Sequence, residues 1–251
     1  MPAMPDSIDT GDSNEIAVLV PAAGEGQRLG GTRKQFRTLG DRPLLVQVLL
    51  LFEQHPDVGH LIVSVPENVV TSVSDRLQAE GVSKLTAVVS GGETRQASVR
   101  HALRAVPAPV EAVLVHDAAR PFVTANEVRR IVQLVRRQGA AALAVSVADT
   151  LRAAEDGAVF GETVPRNHLY RMQTPQGFRR AWLEDAHAAA DPDDTPATDD
   201  VELVQRMGRP VHVVPGSRRN FKITTTSDWS LAQQLWGPWI NDPDRMALSE
   251  R

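Results

Sequence analysis

The chain has 251 residues, no cysteine, and a net charge of −4 from 27 basic and 31 acidic side chains. The missing cysteine excludes a disulfide framework, a thiolate nucleophile and Cys-ligated zinc or iron–sulfur centres, and mild acidity speaks against a duplex-DNA binder, which usually carries a basic face. Composition is ordinary globular, at 42% hydrophobic and 23% charged residues. No apolar run reaches the roughly 18 residues of a membrane span, and the acidic opening MPAMPDSIDTGDSNE has no secretory apolar core. A cytoplasmic, monofunctional α/β protein is the expectation, with neither nucleic acid nor membrane as partner.

Residues 1–14 read as a disordered lead rich in Asp, Ser, Gly and Pro. A short strand, Ile16–Val20, then runs into a glycine loop, Pro21–Gly31. The apolar run Pro43–Gln54 predicts a buried helix, His60–Val65 a strand, Glu67–Glu80 a helix and Leu85–Val89 a strand. Glu93–Ala105 predicts a helix, Ala112–Val115 a strand, Ala125–Gln138 a helix and Ala142–Val147 a strand. This alternation implies right-handed crossovers and a mostly parallel, three-layer α/β sheet.

From Thr150 to Thr174 the period breaks, and Pro, Gly and Asn interrupt short β-like pieces. The segment reads as an inserted β-arm that leaves the sheet. A helix resumes over Arg179–Ala190, followed by an acidic loop, Ala190–Asp200, that reads as a solvated surface. Asp199 with Glu202 three residues on is a helix-start signal. Val211–Val214 and Phe221–Ile223 predict short strands, Asp228–Leu235 a last helix, and 238–251 a tail. With no internal repeat or linker, 15–237 is expected to be a single domain.

In an open parallel sheet, ligands gather at the carboxyl ends of the strands. The segments there are PAAGEGQRLGG, SGGETRQAS, HDAARP and ADT, joined by NFKIT near the C-terminus, and all are dense in Gly, Arg, Lys, Asp, Ser and Thr. Gly24-x-Gly26 suits a phosphate-cradling turn, although alone it fits a plain strand–helix connection equally well. A dinucleotide fingerprint needs Gly or Ala where this chain has Leu29, and no Walker Gly-Lys-Ser/Thr is present. Arg28 and Lys34 add two cations beside glycine backbone, which suits a triphosphate. No His/Asp/Glu set has transition-metal spacing. His116 reads as structural, and Trp182, Trp229, Trp236 and Trp239 as packing residues.

The run Pro21–Gly30 followed by Lys34-Gln35 resembles the nucleotide loop of sugar nucleotidyltransferases. Together with Gly91-Gly92, His116–Pro121, Asp149-Thr150, Arg166-Asn167, Thr174-Pro175-Gln176, Thr198-Asp199 and Asn220–Thr224, the chain resembles the 2-C-methyl-D-erythritol 4-phosphate cytidylyltransferase family from about Ile16 to Leu235. The resemblance implies a Rossmann-like nucleotidyltransferase fold and transfer of a cytidylyl group from CTP to methylerythritol phosphate in isoprenoid precursor synthesis. It further implies catalytic Arg28, Lys34 and Lys222. Ala22, Ala23, Gly24, Gly26, Gly91, Gly92 and Ser98 would line the nucleotide. Asp117, Arg120, Thr150, Arg166 and Thr198 would hold the methylerythritol phosphate.

Magnesium is expected mainly on the CTP phosphates, with Asp117 as the nearby carboxylate, and a homodimer is expected through the 150–174 arm. One departure stands out: Arg33 occupies the position before Lys34-Gln35 where the family usually has Pro. The rivals are a ribitol-5-phosphate cytidylyltransferase, which usually carries Ala-Gly-Gly where this chain has Ala22-Ala23-Gly24, and a non-catalytic nucleotide-binding protein on the same fold. The latter often lacks the loop cations that Arg28, Lys34 and Lys222 provide here.

Overall fold

Strands that are apolar on both faces require cover on both, and that requirement dictates the architecture. The computed structural model describes residues 15–24, 33–154, 157–190 and 197–248. The N-terminal lead, Gly26 and Arg28 of the glycine loop, and the first part of the acidic loop lie outside the described residues.

The chain opens with β1 (Ile16–Pro21), whose first five residues are buried, and forms a small hairpin of β2 (Thr38–Leu39) and β3 (Arg42–Pro43). Next come α1 (Leu44–Glu53), β4 (Val58–Val65), α2 (Val70–Ala79), β5 (Leu85–Ser90), α3 (Arg95–Arg104), β6 (Ala112–Val115), α4 (Ala125–Gln138) and β7 (Ala140–Ser146). After them stand a second hairpin, β8 (Leu151–Arg152) with β9 (Thr163–Val164), then β10 (Tyr170–Arg179), α5 (Arg180–Ala189), α6 (Asp200–Arg206), β11 (His212–Pro215) and α7 (Thr226–Ile240). The main sheet has seven strands in the order β11-β7-β10-β6-β1-β4-β5, parallel except for β10, which runs antiparallel to β6 and β7. Among the described residues, no helix is long and apolar enough to cross a membrane.

Successive strand residues alternate between two cores. Val18, Val20, Leu61, Val63 and Leu114 face α1, α2, α4 and α7, while Ala17, Leu19, Ile62, Val113 and Val115 face α3, α5 and α6. Each such Val or Leu contributes about 1.5–3 kcal/mol when fully buried. Caps fix the helix starts: Thr124 and Glu127 form a reciprocal capping box on α4, and the Asp199 side chain accepts from the Glu202 amide to start α6.

Four expectations are corrected. The arm is shorter than 150–174, because from Tyr170 the chain is already back in the sheet as β10. A strand containing Pro175 reads as a poor interior strand. Pairing with β7 passes from Met172↔Ala144 to Gln176↔Ala142, and that irregularity accommodates Thr174-Pro175. Phe221–Ile223 is not a strand: the Ile223 amide donates to the Ala119 carbonyl at 2.9 Å, pinning the segment beside β6 rather than in the sheet. The last helix continues past Leu235 to Ile240, with Trp236 and Trp239 both buried. Finally, Asp200 at the end of the acidic loop is fully buried rather than solvated.

Candidate functional site

The carboxyl ends of β1, β5 and β6 open into a cleft of about 940 Å³, large enough for a nucleotide. One wall is Pro21–Gly24 with Arg33, Lys34 and Gln35. A second is Gly92–Arg95 with Ser98, and a third is Asp117–Ala119 with Lys222 and Thr224. Thus Ala22, Ala23, Gly24, Lys34, Gly92, Ser98, Asp117 and Lys222 converge as the sequence suggests.

Backbone ties hold the first two walls close. The Ala22 amide donates to the Ser64 carbonyl and the Gly91 amide to the Val65 carbonyl, both at 2.7 Å. A side chain at Gly91 would put its Cβ 2.3 Å from the Ala23 Cβ, and one at Gly92 would stand 2.4 Å from the Ala97 Cβ. Only glycine permits this approach. Thr94 caps α3 by accepting from the Ala97 amide, and the Ser98 Oγ accepts from the Gly92 amide at 3.1 Å, fixing the loop to the helix.

The third wall is an ion network. Lys222 Nζ lies 2.9 Å from Asp117 Oδ2, Arg95 Nε 3.2 Å from Oδ1, and Arg120 Nε 3.4 Å from Oδ2. Burial alone pushes the Asp117 carboxyl up, but Arg95, Lys222 and Arg120 outweigh it and hold it well below the usual carboxylate range. Arg95 reaches on to Asp200 Oδ2 at 2.7 Å, and His187 stands 3.3 Å from the other Asp200 oxygen. Burial opposes the Arg95 charge, yet Asp200 and Asp117 raise its pKa.

Arg95 lines the cleft, and sequence reasoning did not single it out. The signal was available, since Thr94-Arg95 falls inside one of the ligand-edge loops. The Thr174-Pro175-Gln176 motif also has a visible role, because Gln176 donates to Asp199 Oδ2 at 2.8 Å and accepts from the Asp200 amide at 3.2 Å, seating the acidic loop against Arg95.

His116 is fully buried. Its Nε2 meets the Arg120 carbonyl at 2.9 Å and its Nδ1 meets Thr174 Oγ1 at 3.2 Å, while Thr174 Oγ1 accepts from the Asp117 amide. A carbonyl only accepts, so the Nε2–H tautomer fits. Burial lowers its pKa to about 4, and the ring stays neutral as a structural bridge.

Arg120 stands behind Asp117, donating to the Asn220 carbonyl at 2.8 Å and the Met172 carbonyl at 3.2 Å. Lys34 Nζ donates to the Ile223 carbonyl at 3.0 Å, linking the first wall to the segment that carries Lys222.

Besides Arg120, three more expected substrate residues do not line this cleft. Thr150 and Arg166 are exposed on the arm, where Arg166 donates to the Ala148 carbonyl. Thr198 is exposed, with its amide and hydroxyl both on Glu202 Oε2.

Known proteins resemble this chain in sequence and in fold. A profile of the 2-C-methyl-D-erythritol 4-phosphate cytidylyltransferases matches residues 16–237. The chain is 65% identical to the enzyme of that name from Salinibacter ruber, over 93% of this chain and 98% of that one. It is 42% identical to that from Deinococcus radiodurans, over 90% and 91%. The crystal structure of the Thermus thermophilus enzyme superposes with a TM-score of 0.73 at 38% identity, covering 88% of this chain and 98% of that one. A 4-diphosphocytidyl-2C-methyl-D-erythritol synthase from Anaerococcus prevotii superposes at 0.77 with 25% identity, covering 90% and 100%. The chain belongs to the 2-C-methyl-D-erythritol 4-phosphate cytidylyltransferase family.

Proposed function

We propose that this cleft transfers the cytidylyl group of CTP to 2-C-methyl-D-erythritol 4-phosphate, giving 4-diphosphocytidyl-2-C-methyl-D-erythritol and pyrophosphate in the cytoplasm. The observation that carries it is the convergence of Lys34, Lys222 and Arg95 on a glycine-walled cleft in a chain 65% identical to a relative of that name. An oxygen of the substrate phosphate attacks the α-phosphorus, and the bond from that phosphorus to the bridging oxygen breaks as pyrophosphate departs. The nucleophile is already an anion, so catalysis reduces to alignment and stabilisation of charge on the five-coordinate phosphorus.

Lys34, Lys222 and Arg28 supply that charge. An ammonium carries three donors, so Lys222 keeps Asp117 while donating to phosphate oxygens. Asp117 forms the substrate side with Arg120 behind it, and Thr150 and Arg166, which stand outside the cleft, would join it from an arm packed against it.

Among the described residues no group of three His, Asp or Glu side chains is placed to hold a metal, and the Asp117 oxygens already face three cations. This arrangement fits magnesium carried by the triphosphate oxygens and not by a protein cage. Bound there, the ion would neutralise part of the triphosphate charge.

The arm exposes Val159 at 71% and Phe160 at 79%, apolar surface that a second copy of the chain would cover in a homodimer. The test is pyrophosphate release from CTP with methylerythritol phosphate against ribitol 5-phosphate. Turnover is expected with the first alone. Preference for ribitol phosphate would transfer the assignment, and no turnover with either would withdraw it.

A further inference from the structure

We propose that Gln35 is a positioning residue for the triphosphate, acting through the glycine loop. It sits on a one-turn 3-10 helix, Lys34–Phe36, and is only 3% exposed. Its side-chain amide spends its two protons on two loop carbonyls, Ala22 at 2.7 Å and Gly24 at 3.1 Å. Both carbonyls belong to residues that line the cleft. The Ala22 amide is already held by the Ser64 carbonyl, so Gln35 clamps the other side of the same residue.

The physical need is electrostatic as well as geometric. A polyanion is held by backbone N–H groups, and carbonyl oxygens facing it repel it. Donating to the Ala22 and Gly24 oxygens draws two negative dipole ends toward Gln35 and counters their charge. Next to it, Lys34 donates to the Ile223 carbonyl. Two consecutive residues therefore tie the glycine loop and the Lys222 segment to one short turn, setting the separation of the walls between which a triphosphate must lie. The side chain acts through the loop and has no place in the transfer step itself.

This inference rests on CTP occupying the cleft, and the experiment separates the two ideas. Gln35→Met keeps the length and removes the donors. Gln35→Glu keeps the shape and places an acceptor against both carbonyls. Gln47→Met is the matched control, because Gln47 is also buried and donates to the Leu39 carbonyl and Asp41 at 3.0 Å each, in the hairpin away from the cleft.

Steady-state kinetics should show KM for CTP rising about tenfold or more in Gln35→Met and further in Gln35→Glu, with KM for methylerythritol phosphate changed less than about threefold. Gln47→Met should lose comparable thermal stability with KM for CTP unmoved. Where Gln35→Met does not fold, Gln35→Glu is read alone against the same control. An unchanged KM for CTP in the Gln35 variants, or an equal rise in Gln47→Met, overturns the proposal. Lys34→Ala, run alongside, reports on the cleft: if it is crippled while Gln35→Met is normal, the cleft stands and Gln35 falls. If both are normal, the cleft assignment falls first.

Discussion

Around the cleft, charged residues from distant parts of one chain satisfy one another: Asp117 meets Arg95, Arg120 and Lys222, and Arg95 spans on to buried Asp200. The arm between β7 and β10 is the reverse, a two-residue-per-strand hairpin that leaves Val159 and Phe160 more than two-thirds exposed. Among the described residues, the charged wall of the cleft is held by contacts within one chain. The hairpin pairs only Leu151–Arg152 with Thr163–Val164, so on the proposed function Thr150 and Arg166 would be fixed against a substrate by what the arm packs against. Nucleotide binding and acceptor binding should therefore respond differently to the state of assembly.

The sharpest break in that comparison comes from the cleft cations. Lys34→Ala or Lys222→Ala should lower kcat by about 100- to 1000-fold, as loss of one preorganised charge-stabilising donor does elsewhere, with the thermal midpoint little changed. Lys84→Ala is the control, since Lys84 reaches the His55 carbonyl, far from the cleft. Pyrophosphate release measures this, and near-normal turnover in either variant would remove that lysine from the mechanism.

Acid should weaken the cleft from beneath. The folded pKa of His116, about 4, lies below the unfolded value of about 6.5. As pH falls through that window the unfolded chain takes up a proton that the folded chain refuses. Stability should therefore fall by about 3 kcal/mol between pH about 6.5 and about 4, and be unaffected by this group above it. Buried His55 adds in the same direction. The Asp117 carboxylate, held below its ordinary range, contributes stability that is full above its unfolded pKa of about 4 and is lost as pH falls below it. Urea unfolding against pH should show a shallower fall in His116→Gln than in the parent. Equal slopes would break the assignment of a buried neutral imidazole.

Mixing variants tests whether the arm serves its own site or a neighbour's. Lys222→Ala and Arg166→Ala chains, each nearly inactive, are refolded together. If the arm of one copy completes the cleft of the other, every mixed dimer holds one site with both defects and one intact, and about a quarter of parental activity returns. No recovery, with dimers confirmed by sedimentation, means that each arm serves its own cleft or none. A fully active monomer would remove the dimer from the proposal altogether.

What is legible in the sequence follows from the range of the interactions involved. Strands such as Ile16–Pro21 and Ala112–Val115 are legible because two-sided burial demands uninterrupted apolar residues. The glycine loops are legible because close backbone approach admits only glycine. Asp200 is not, because its burial depends on Arg95, 105 positions earlier in the chain, and on His187. Locally it is one more acid in an acidic run. β10 is hidden for the same reason: Gln173, Thr174 and Gln176 are buried because their partners are Asn220, Asp117 and Asp199, none of them nearby in sequence. Phe221–Ile223 alternates like a strand, yet Ala119 and Lys34 take its backbone groups.

The smallest effect probes Arg33, where the resemblance leads one to expect proline. Arg33 lines the cleft with φ of −49° and ψ of 127°, close to the φ of about −65° that proline fixes. Its carbonyl accepts from the Phe36 amide at 2.9 Å, a bond proline retains. Arg33→Pro therefore tests the cation with little cost to the turn. KM for CTP should rise about threefold, the size of one partly exposed charge contact, while kcat holds and stability gains about 0.5 kcal/mol from the stiffer unfolded chain. Isothermal titration with CTP at low and high salt separates the two contributions, because only the charge contact is screened. If parent and variant respond identically to salt, Arg33 makes no contact with the triphosphate and the proline usual in this family is a matter of loop stiffness alone.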